Sequence, residues 1–495
     1  MNLYDIFSTT ARMQPEKPAI LGPNQRFSYR HLNEAIQASA QSLRGAGIRP
    51  GDCVGLHMPS GSNYIIFTYA VWRCGGCAVP LPVELAAAEK QEICREIKLD
   101  FVVAEGHAPS FLEPFRRDRP VELTSGLFAT PVASPREHPP GFDAINSAFI
   151  RFTSGTTGTS KGVVLSHETI FDRIQAANEV LEIGPDDRVL WLLSMAYHFA
   201  VSIVSYLSFG AAIVLPHNQL APAMLESIRR HSATLIYGSP THYSWLTGCE
   251  QDGGLAGVRL ALSTTTALEN QIAERFDRRF GMPVVQALGI IEVGLPFINI
   301  DFAADRPGAV GRALPAYRLR LEDVGLGPGL KEILVGGKGF LDAYYRPWRS
   351  RAEIMPDGWF RTGDLGELDG DGCLFIRGRS KEVISVGGMK FFPQEVEAVL
   401  ASHCGVDDAC VYARADARLG EVPWARVVAK SRGAPSEREL QDLCRARLAA
   451  FKVPERVEFV TDLQRTGSGK ILHREVDPLA DGSDGQDHEA KRARA

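Results

Sequence analysis

The chain has 495 residues, of which 45% are hydrophobic and 23% are charged, and these proportions are ordinary for a globular enzyme. This length predicts two to three domains with a large core. The formal net charge of −5 gives no electrostatic reason to expect binding to nucleic acid or to an anionic membrane, and no apolar run approaches the roughly 20 residues that span a bilayer.

The first 145 residues contain segments that are typical of an α/β layer. These segments are 28–46, 52–58 and 62–74.

The N-terminus lacks the basic and apolar pattern of an export signal. Cys74 and Cys77 flank two glycines, but no second ligand pair lies nearby at zinc spacing, so we expect a turn that ends a helix. The nine cysteines are odd in number and scattered, which predicts a reducing compartment, by default the cytoplasm.

Apolar strands alternate with helices between residues 145 and 290. Such alternation predicts a mostly parallel sheet that is covered by helices and that binds ligands at the carboxyl ends of its strands. Ser166 is a suitable N-cap for the first of these helices. The predicted strands are 148–152, 188–193, 211–215, 233–237, 258–262 and 283–288, and the predicted helices are 166–181, 222–231 and 269–280.

The composition changes after about residue 305, where short strands and glycine-rich turns predict a small β-rich unit. Its predicted strands are 309–321, 332–336 and 373–377. A compact α+β pattern follows, with helices that begin at Pro393 and at the capping box of Ser436 and Glu439. We therefore expect a large N-terminal domain of stacked, helix-covered sheets at 1–379 and a small C-terminal domain at 380–480. Residues 481–495 lack apolar periodicity and are expected to be a disordered tail.

The segment Arg151-Phe-Thr-Ser-Gly-Thr-Thr-Gly-Thr-Ser-Lys-Gly162 joins two apolar strands. Its glycines, hydroxyl side chains and lysine can direct N–H and O–H donors at phosphate oxygens. It is not a Walker A loop, because Ser rather than Gly precedes Lys161. The alternative interpretation is a surface turn rich in Ser, Thr and Gly.

Four other positions carry charges that suit a nucleotide. Asp364 lies in a turn and can accept hydrogen bonds from both hydroxyls of a ribose, and Arg379 offers a rigid fork of donors. Glu292 follows a predicted strand and can bind Mg²⁺, a hard cation that prefers oxygen ligands. Lys470 lies on a glycine-flanked loop, which by itself indicates only a solvated surface.

The order of these segments resembles the adenylate-forming superfamily, which includes acyl-CoA synthetases, adenylation domains and luciferases. The resemblance extends over residues 5–478 and rests mainly on 153–162, 359–364 with 378–379, and 465–471. It implies that the ribose is held by Asp364 and Arg379. The nucleotide-binding residues that it implies are Thr153, Ser154, Gly155, Thr156, Thr157, Gly158, Lys161, Gly289, Asp364 and Arg379, and Gly387 and Gly388 are the implied contacts of the thiol substrate.

The same resemblance implies that Lys470, Glu292 and His198 are catalytic, with Glu292 also the Mg²⁺ ligand. An ammonium group at Lys470 would bridge the attacking carboxylate and the α-phosphate, two anions that otherwise repel each other. Lys381 is the implied hinge of a mobile C-terminal domain. The implied acyl pocket consists of His198, Tyr237, Thr264 and Thr265. This chain departs from the family at Leu288 and Ile291, where an aromatic residue and a threonine are usual.

The predicted function is ATP- and Mg²⁺-dependent activation of a small-molecule carboxylic acid, either a fatty or an aryl acid, to an acyl-adenylate, followed by thioester formation with coenzyme A. No aspartate stands where amino-acid-activating relatives hold an ammonium group, which favours an acid without an α-amine. One alternative is a free-standing ligase that loads an acyl carrier protein. Another is an attenuated relative that binds nucleotide or a partner without catalysis. The sequence predicts no oligomeric state.

Overall fold

The structure is a computed structural model, and it describes residues 1–106, 108–124, 126–134, 136–153, 161–251, 253–325, 330–431, 433–465, 471 and 473. The helices are α1 (Leu3–Met13), α2 (Tyr29–Gly45), α3 (Ser62–Arg73), α4 (Ala87–Glu96), α5 (His167–Leu181), α6 (Met195–His198), α7 (Ile203–Ser208), α8 (Ala221–His231), α9 (Pro240–Gly248), α10 (Asn270–Phe280), α11 (Arg351–Ile354), α12 (Pro393–Ala401) and α13 (Glu437–Arg447). Short 3-10 helices occur at Ser110–Leu112, Phe142–Ala144, Ser380–Glu382 and Ala450–Lys452.

The strands of the N-terminal half are β1 (Pro18–Leu21), β2 (Arg26–Ser28), β3 (Cys53–His57), β4 (Cys77–Pro80), β5 (Phe101–Glu105), β6 (Val121–Thr124), β7 (Leu127–Pro131), β8 (Ser147–Thr153), β9 (Lys161–Ser166), β10 (Arg188–Trp191), β11 (Ala212–Val214), β12 (Leu235–Gly238), β13 (Leu260–Ser263), β14 (Val284–Ile290) and β15 (Gly294–Ile298). Those that follow are β16 (Arg312–Ala313), β17 (Tyr317–Asp323), β18 (Lys331–Gly337), β19 (Ala343–Tyr344), β20 (Arg349–Ser350), β21 (Phe360–Leu368), β22 (Leu374–Arg379), β23 (Ile384–Val386), β24 (Met389–Phe391), β25 (Val406–Asp416), β26 (Gly420–Ala429) and β27 (Arg456–Val460).

Two nine-stranded sheets form the larger part of the molecule. The first has the order β16-β15-β14-β13-β12-β10-β11-β1-β2, and its strands from β14 to β1 are parallel. The second has the order β20-β19-β9-β8-β4-β3-β5-β7-β6, with β8, β4, β3 and β5 parallel. The predicted α/β class with mostly parallel central strands is therefore confirmed.

Both central sheets are buried on two faces. Side chains alternate along β10, where Val189 and Trp191 enter one core and Leu190 enters another. The first of these cores also contains residues of α1, α2, α3 and α5 and of the second sheet, so it joins the two sheets. Helices α8, α9 and α10 cover the opposite face of the first sheet. Burial on both faces explains why these strands are nearly continuous apolar runs in the sequence.

The local signals in the sequence correspond to real helix ends. Ser166 caps α5, since its side chain accepts a hydrogen bond from the Thr169 N–H at 3.1 Å. The turn expected at the paired cysteines is also present, because Cys74 ends α3 and Cys77 begins β4. Gly75 between them has φ of +79°, which a residue with a side chain rarely adopts.

The remaining strands form two smaller sheets. A four-stranded antiparallel sheet has the order β17-β18-β21-β22, and a five-stranded sheet consists of β24-β23-β26-β25 with β27 beside β26. The strand predicted at 309–321 is divided in two: β16 joins the first sheet and β17 joins the four-stranded one. Pro315 lies between them, and its missing N–H cannot continue a strand ladder.

None of the helices within the described ranges combines the length and the apolar character that crossing a bilayer requires.

Trp72 offers a test of the core that joins the two large sheets. Its side chain is fully buried, donates to the Ala148 carbonyl at 2.7 Å and contacts the rings of Tyr69 and Phe199. Trp72→Ala should lower the free energy of unfolding by about 3–5 kcal/mol, because it leaves a cavity in a close-packed core. The thermal unfolding midpoint measures this loss. Trp245→Ala, at a tryptophan that is 43% exposed, is the control, and equal shifts in the two variants would contradict the packing described.

Candidate active site

The glycine- and hydroxyl-rich segment connects two antiparallel strands. The ladder of β8 and β9 continues to its end, where Thr153 pairs with Lys161. The predicted positions Ser154, Gly155, Thr156, Thr157 and Gly158 lie outside the described residues. The Lys161 ammonium lies 4.6 Å from the centre of the Tyr344 ring, a distance that favours a cation–π contact.

Glu292 lies in the tight turn between β14 and β15, at the end of the parallel part of the first sheet. The Tyr344 hydroxyl donates to the Glu292 carboxylate at 3.1 Å. Tyr344 thus contacts both Lys161 and Glu292, and it places the lysine strand beside the carboxylate. A half-buried carboxylate with hard oxygen atoms suits Mg²⁺, so the predicted metal ligand fits that ion.

A buried arginine that was not predicted from the sequence forms hydrogen bonds with the turn that carries Glu292. Arg173 of α5 donates to the carbonyls of Ile291 and Glu292, each at 2.7 Å, and its Nε donates to the Gly339 carbonyl. Burial lowers the pKa of Arg173 to about 10, which still leaves the guanidinium charged at neutral pH. A Cβ atom at Gly339 would lie 2.8 Å from the Arg173 Cγ, so only glycine allows this approach.

Arg173 could have been found from the sequence by its helical spacing. It stands on the apolar face of α5 with Ile170, Ile174 and Ala177, where a charged residue requires buried partners.

Asp364 and Arg379 lie close together, as contact with a shared ligand requires. They are directly paired across β21 and β22, and the Arg379 Nε lies 2.8 Å from the Asp364 Oδ1. Asp364 is buried and Arg379 is partly exposed, so the guanidinium is the part of the pair that solvent reaches.

A cavity of about 280 Å³ lies across the carboxyl ends of four adjacent parallel strands of the first sheet. Its wall includes Thr265 after β13, His242 after β12, His198 after β10 and Gln219 after β11. This is the edge at which ligands of parallel sheets bind. His198 and Thr265, two of the predicted acyl-pocket residues, therefore line the same cavity.

Tyr237 and Thr264, the other two predicted pocket residues, are buried behind the cavity wall, with 4% and 2% of their surface exposed. Tyr237 stacks on Trp191 at a centroid distance of 5.1 Å and an angle of 9°. The Thr264 N–H donates to the Gly238 carbonyl at 3.1 Å. The next residue, Thr265, has φ of +84°, an unusual conformation for a β-branched residue that is typical of functional sites.

The C-terminal domain also reaches this cavity. Arg465 lines it, forms an ion pair with Asp408, and makes an antiparallel bridge with Ile471. Lys470 lies in the segment between the two bridged residues and is outside the described residues. The bridge places Ile471, the residue after Lys470, next to Arg465.

The predicted hinge and thiol contacts lie in the same domain. Lys381 is exposed in the single 3-10 turn between β22 and β23. Gly387 and Gly388 form the two-residue turn of the hairpin β23–β24 and have φ of +55° and +85°. These values favour glycine at both positions, as in the tightest hairpin turns.

His473, the last residue that the structure describes, forms an ion pair with Glu397 of α12, at 2.9 Å between Nε2 and Oε1. Burial alone would lower the pKa of His473, but the hydrogen bond and charge of Glu397, with the charge of Glu382, raise it above its usual value. The pair holds the chain that follows Lys470 against the domain core.

The family model of AMP-binding enzymes matches residues 7–345, and that of the AMP-binding enzyme C-terminal domain matches residues 395–470. A feruloyl-CoA synthase of Amycolatopsis sp is 30% identical over 94% of this chain and 96% of its own. An indoleacetate–CoA ligase of Aromatoleum aromaticum is 28% identical over 97% of this chain and 98% of its own.

Among solved structures, the o-succinylbenzoate CoA synthetase of Bacillus subtilis in complex with its acyl-adenylate intermediate is similar, with a TM-score of 0.84 and 25% identity over 98% of this chain and 99% of that one. The same synthetase in complex with ATP and magnesium ion has a TM-score of 0.81, with 25% identity over 94% of this chain and 98% of that one.

The His473–Glu397 pair predicts a pH-dependent stability of the C-terminal domain. The pKa of His473 is raised in the folded chain, so its contribution is complete below the unfolded value of about 6.5 and is lost as pH rises through the folded value. The difference in thermal midpoint between the wild type and His473→Ala should therefore shrink from pH 6 to pH 9. The difference in thermal midpoint between the wild type and Glu397→Gln should shrink over the same pH range. A difference that stays constant from pH 6 to pH 9 would contradict the assignment.

Proposed function

The chain belongs to the family of AMP-binding enzymes, and on this premise we propose that it is an ATP-dependent acid–thiol ligase that forms an acyl-CoA thioester. ATP, Mg²⁺, coenzyme A and a small-molecule carboxylic acid are its substrates and cofactors. The relatives named above are CoA ligases of similar length, and this supports the assignment.

The reaction has two steps. In the first, a carboxylate oxygen attacks the α-phosphorus of ATP, the bond to the departing pyrophosphate breaks, and an acyl-adenylate remains. In the second, the sulfur of coenzyme A loses its proton and attacks the acyl carbon, and AMP leaves. The first step converts a poor electrophile into a mixed anhydride, which makes the second step possible.

We assign the nucleotide contacts to residues on or next to the paired strands described above. Asp364, held by Arg379, accepts the ribose hydroxyls. Lys161 and the segment 153–158 bind the phosphates, and Gly289 at the end of β14 leaves room beside the nucleotide. Glu292, oriented by Tyr344, holds Mg²⁺, which supplies positive charge that neutralises phosphate oxygens.

Lys470 stabilises the first step, with its ammonium group between the carboxylate and the α-phosphate. The bridge between Arg465, which lines the cavity, and Ile471 is the observation that supports this assignment, because Ile471 directly follows Lys470 in the chain. His198, on the same cavity wall, contacts the acid.

The two steps need different positions of the C-terminal domain. We assign the domain boundary to 379–381, because the four-stranded sheet ends at Arg379 and the next sheet begins at Ile384. Lys381 lies in the one short turn between them and is the hinge. After rotation, the exposed Gly387–Gly388 turn passes close to the thiol substrate, since it carries no side chain.

Coenzyme A is the thiol that the CoA ligase relatives use, and the two-glycine turn supports it here. A phosphopantetheinylated carrier protein is the alternative acceptor, and comparing the two acceptors in the second step distinguishes them. All nine cysteines carry free thiols, which supports a cytoplasmic location.

The proposed function and the role of Lys470 can be tested together by acid-dependent exchange of pyrophosphate into ATP. Lys470→Ala should lower this exchange about a hundredfold or more, because it removes a charge aimed at the transition state. Thioester formation from a preformed acyl-adenylate should remain, since the ammonium group serves only the first step. Lys430→Ala is the control, at a lysine of the same domain that donates to the Cys404 carbonyl. Normal exchange in Lys470→Ala would refute this role, and no exchange by the wild type with any acid would refute the function.

Tyr344→Phe tests the orientation of Glu292. The ring that faces Lys161 is kept, but the hydrogen bond to the carboxylate is lost. Such a bond to a charged group contributes about 1.5–3 kcal/mol, so exchange should fall roughly tenfold to a hundredfold and the Mg²⁺ concentration for half-maximal activity should rise. The neighbouring Tyr345→Phe is the matched control, because that hydroxyl contacts His138 and Lys98 instead. An unchanged Mg²⁺ requirement in Tyr344→Phe would count against Glu292 as the ligand.

A further inference from the structure

The cavity beside the proposed nucleotide site indicates which acid the enzyme takes. We propose that the acid is about the size of a substituted aryl acid and carries an uncharged oxygen, remote from its carboxylate, that hydrogen-bonds with His242 and Gln219. This inference rests on the proposed function.

The direction of the cavity follows from the strand order β14-β13-β12-β10-β11. Glu292 and Gly289 lie at β14, which places the nucleotide on that side. Thr265 follows β13, and Gln219 follows β11, three strands further along. At the usual strand spacing the wall between these two residues is roughly 14 Å long. Gln219 therefore contacts the end of the acid that is furthest from the reacting carboxylate.

The hydrogen bonds around His242 determine which of its nitrogens carries the proton. The Ser239 hydroxyl lies 2.8 Å from Nδ1 and can donate or accept, but the Ser239 N–H, at 3.1 Å, can only donate to it. This assigns Nδ1 as the acceptor and the hydrogen to Nε2. Nε2 lies 3.4 Å from the Gln219 Oε1, which is long for a hydrogen bond. Gln219 is itself held in place, because its Nε2 donates to the Leu192 carbonyl at 2.7 Å. A closer acceptor in the cavity would take the Nε2 hydrogen.

The charges that face the cavity favour a neutral group at this end. Burial lowers the pKa of His242 to about 4, so the imidazole is an uncharged donor at neutral pH. Arg465 is paired with Asp408, and Glu84 adds a negative charge to the wall. A second carboxylate or a sulfonate would therefore meet the charge of Glu84, and among the described residues of the wall the one arginine or lysine, Arg465, is already paired.

The volume sets the size of the acid. A protein cavity of about 150 Å³ holds benzene, so 280 Å³ holds a ring with several further atoms, roughly eleven non-hydrogen atoms in all. Leu192, Leu193 and the ring of Tyr197 supply apolar surface for such a ring. A sixteen-carbon alkyl chain exceeds this volume.

Three acids test the inference in the pyrophosphate exchange assay: phenylpropanoic acid, its para-hydroxy derivative and hexadecanoic acid. The wild type should use the hydroxylated acid with a kcat/KM at least tenfold above that of the parent acid, and should not use hexadecanoic acid.

Two variants then assign the preference to the residues. Gln219→Leu and His242→Phe should each lower kcat/KM for the hydroxylated acid about tenfold and change that for phenylpropanoic acid less than twofold. A loss of structure would lower both values, so the ratio between the two acids is the decisive readout. His231→Phe, at the end of α8, is the control and should leave the ratio unchanged.

Each outcome decides a different claim. A preference for hexadecanoic acid, or a ratio that the Gln219 and His242 variants leave unchanged, would overturn this inference and leave the proposed function intact. No exchange with any acid would overturn the proposed function and this inference with it.

Discussion

The contact between the buried Arg173 guanidinium and the turn of Glu292 is the constraint on which the candidate site depends. One side chain of α5 satisfies three backbone carbonyls that come from two separate loops. Taking a charged group out of water is unfavourable, and it is tolerated here because each donor finds a carbonyl. As a result, α5, the turn between β14 and β15, and the loop before β19 cannot move independently. The position of the Glu292 carboxylate is restricted by the same contacts.

The rest of the site is arranged around that fixed turn by simple strand geometry. Tyr344 follows the loop that Arg173 holds, and its hydroxyl and ring contact Glu292 and Lys161 respectively. On the other side, parallel strands end at one edge, so the residues that follow β13, β12, β10 and β11 share a cavity. Asp364 and Arg379 lie side by side for a different reason: they face each other across the antiparallel strands β21 and β22.

Much of the fold follows from local patterns, because the spacing of apolar residues is itself caused by burial. The alternation of strands and helices between 145 and 290 predicted the parallel sheet, and capping residues predicted helix ends. The site is harder to read. The contact of Tyr344 with Glu292 joins residues 52 positions apart, which no local pattern encodes. The period of two along β12 does place Tyr237 on the same face as Leu235, in the core and behind the cavity wall.

The stacked pair of Trp191 and Tyr237 has a consequence for how such an enzyme can diversify. Both rings belong to the core that joins the large sheets, so replacing either one would destabilise the fold as well as the residues that line the cavity in front of them. The side chains beyond the strand ends, such as Gln219 and Thr266, face the cavity. They are exposed and contribute less to core packing than the two rings. Evolution or engineering can therefore exchange these rim positions and retarget the ligase to a new acid without rebuilding its scaffold.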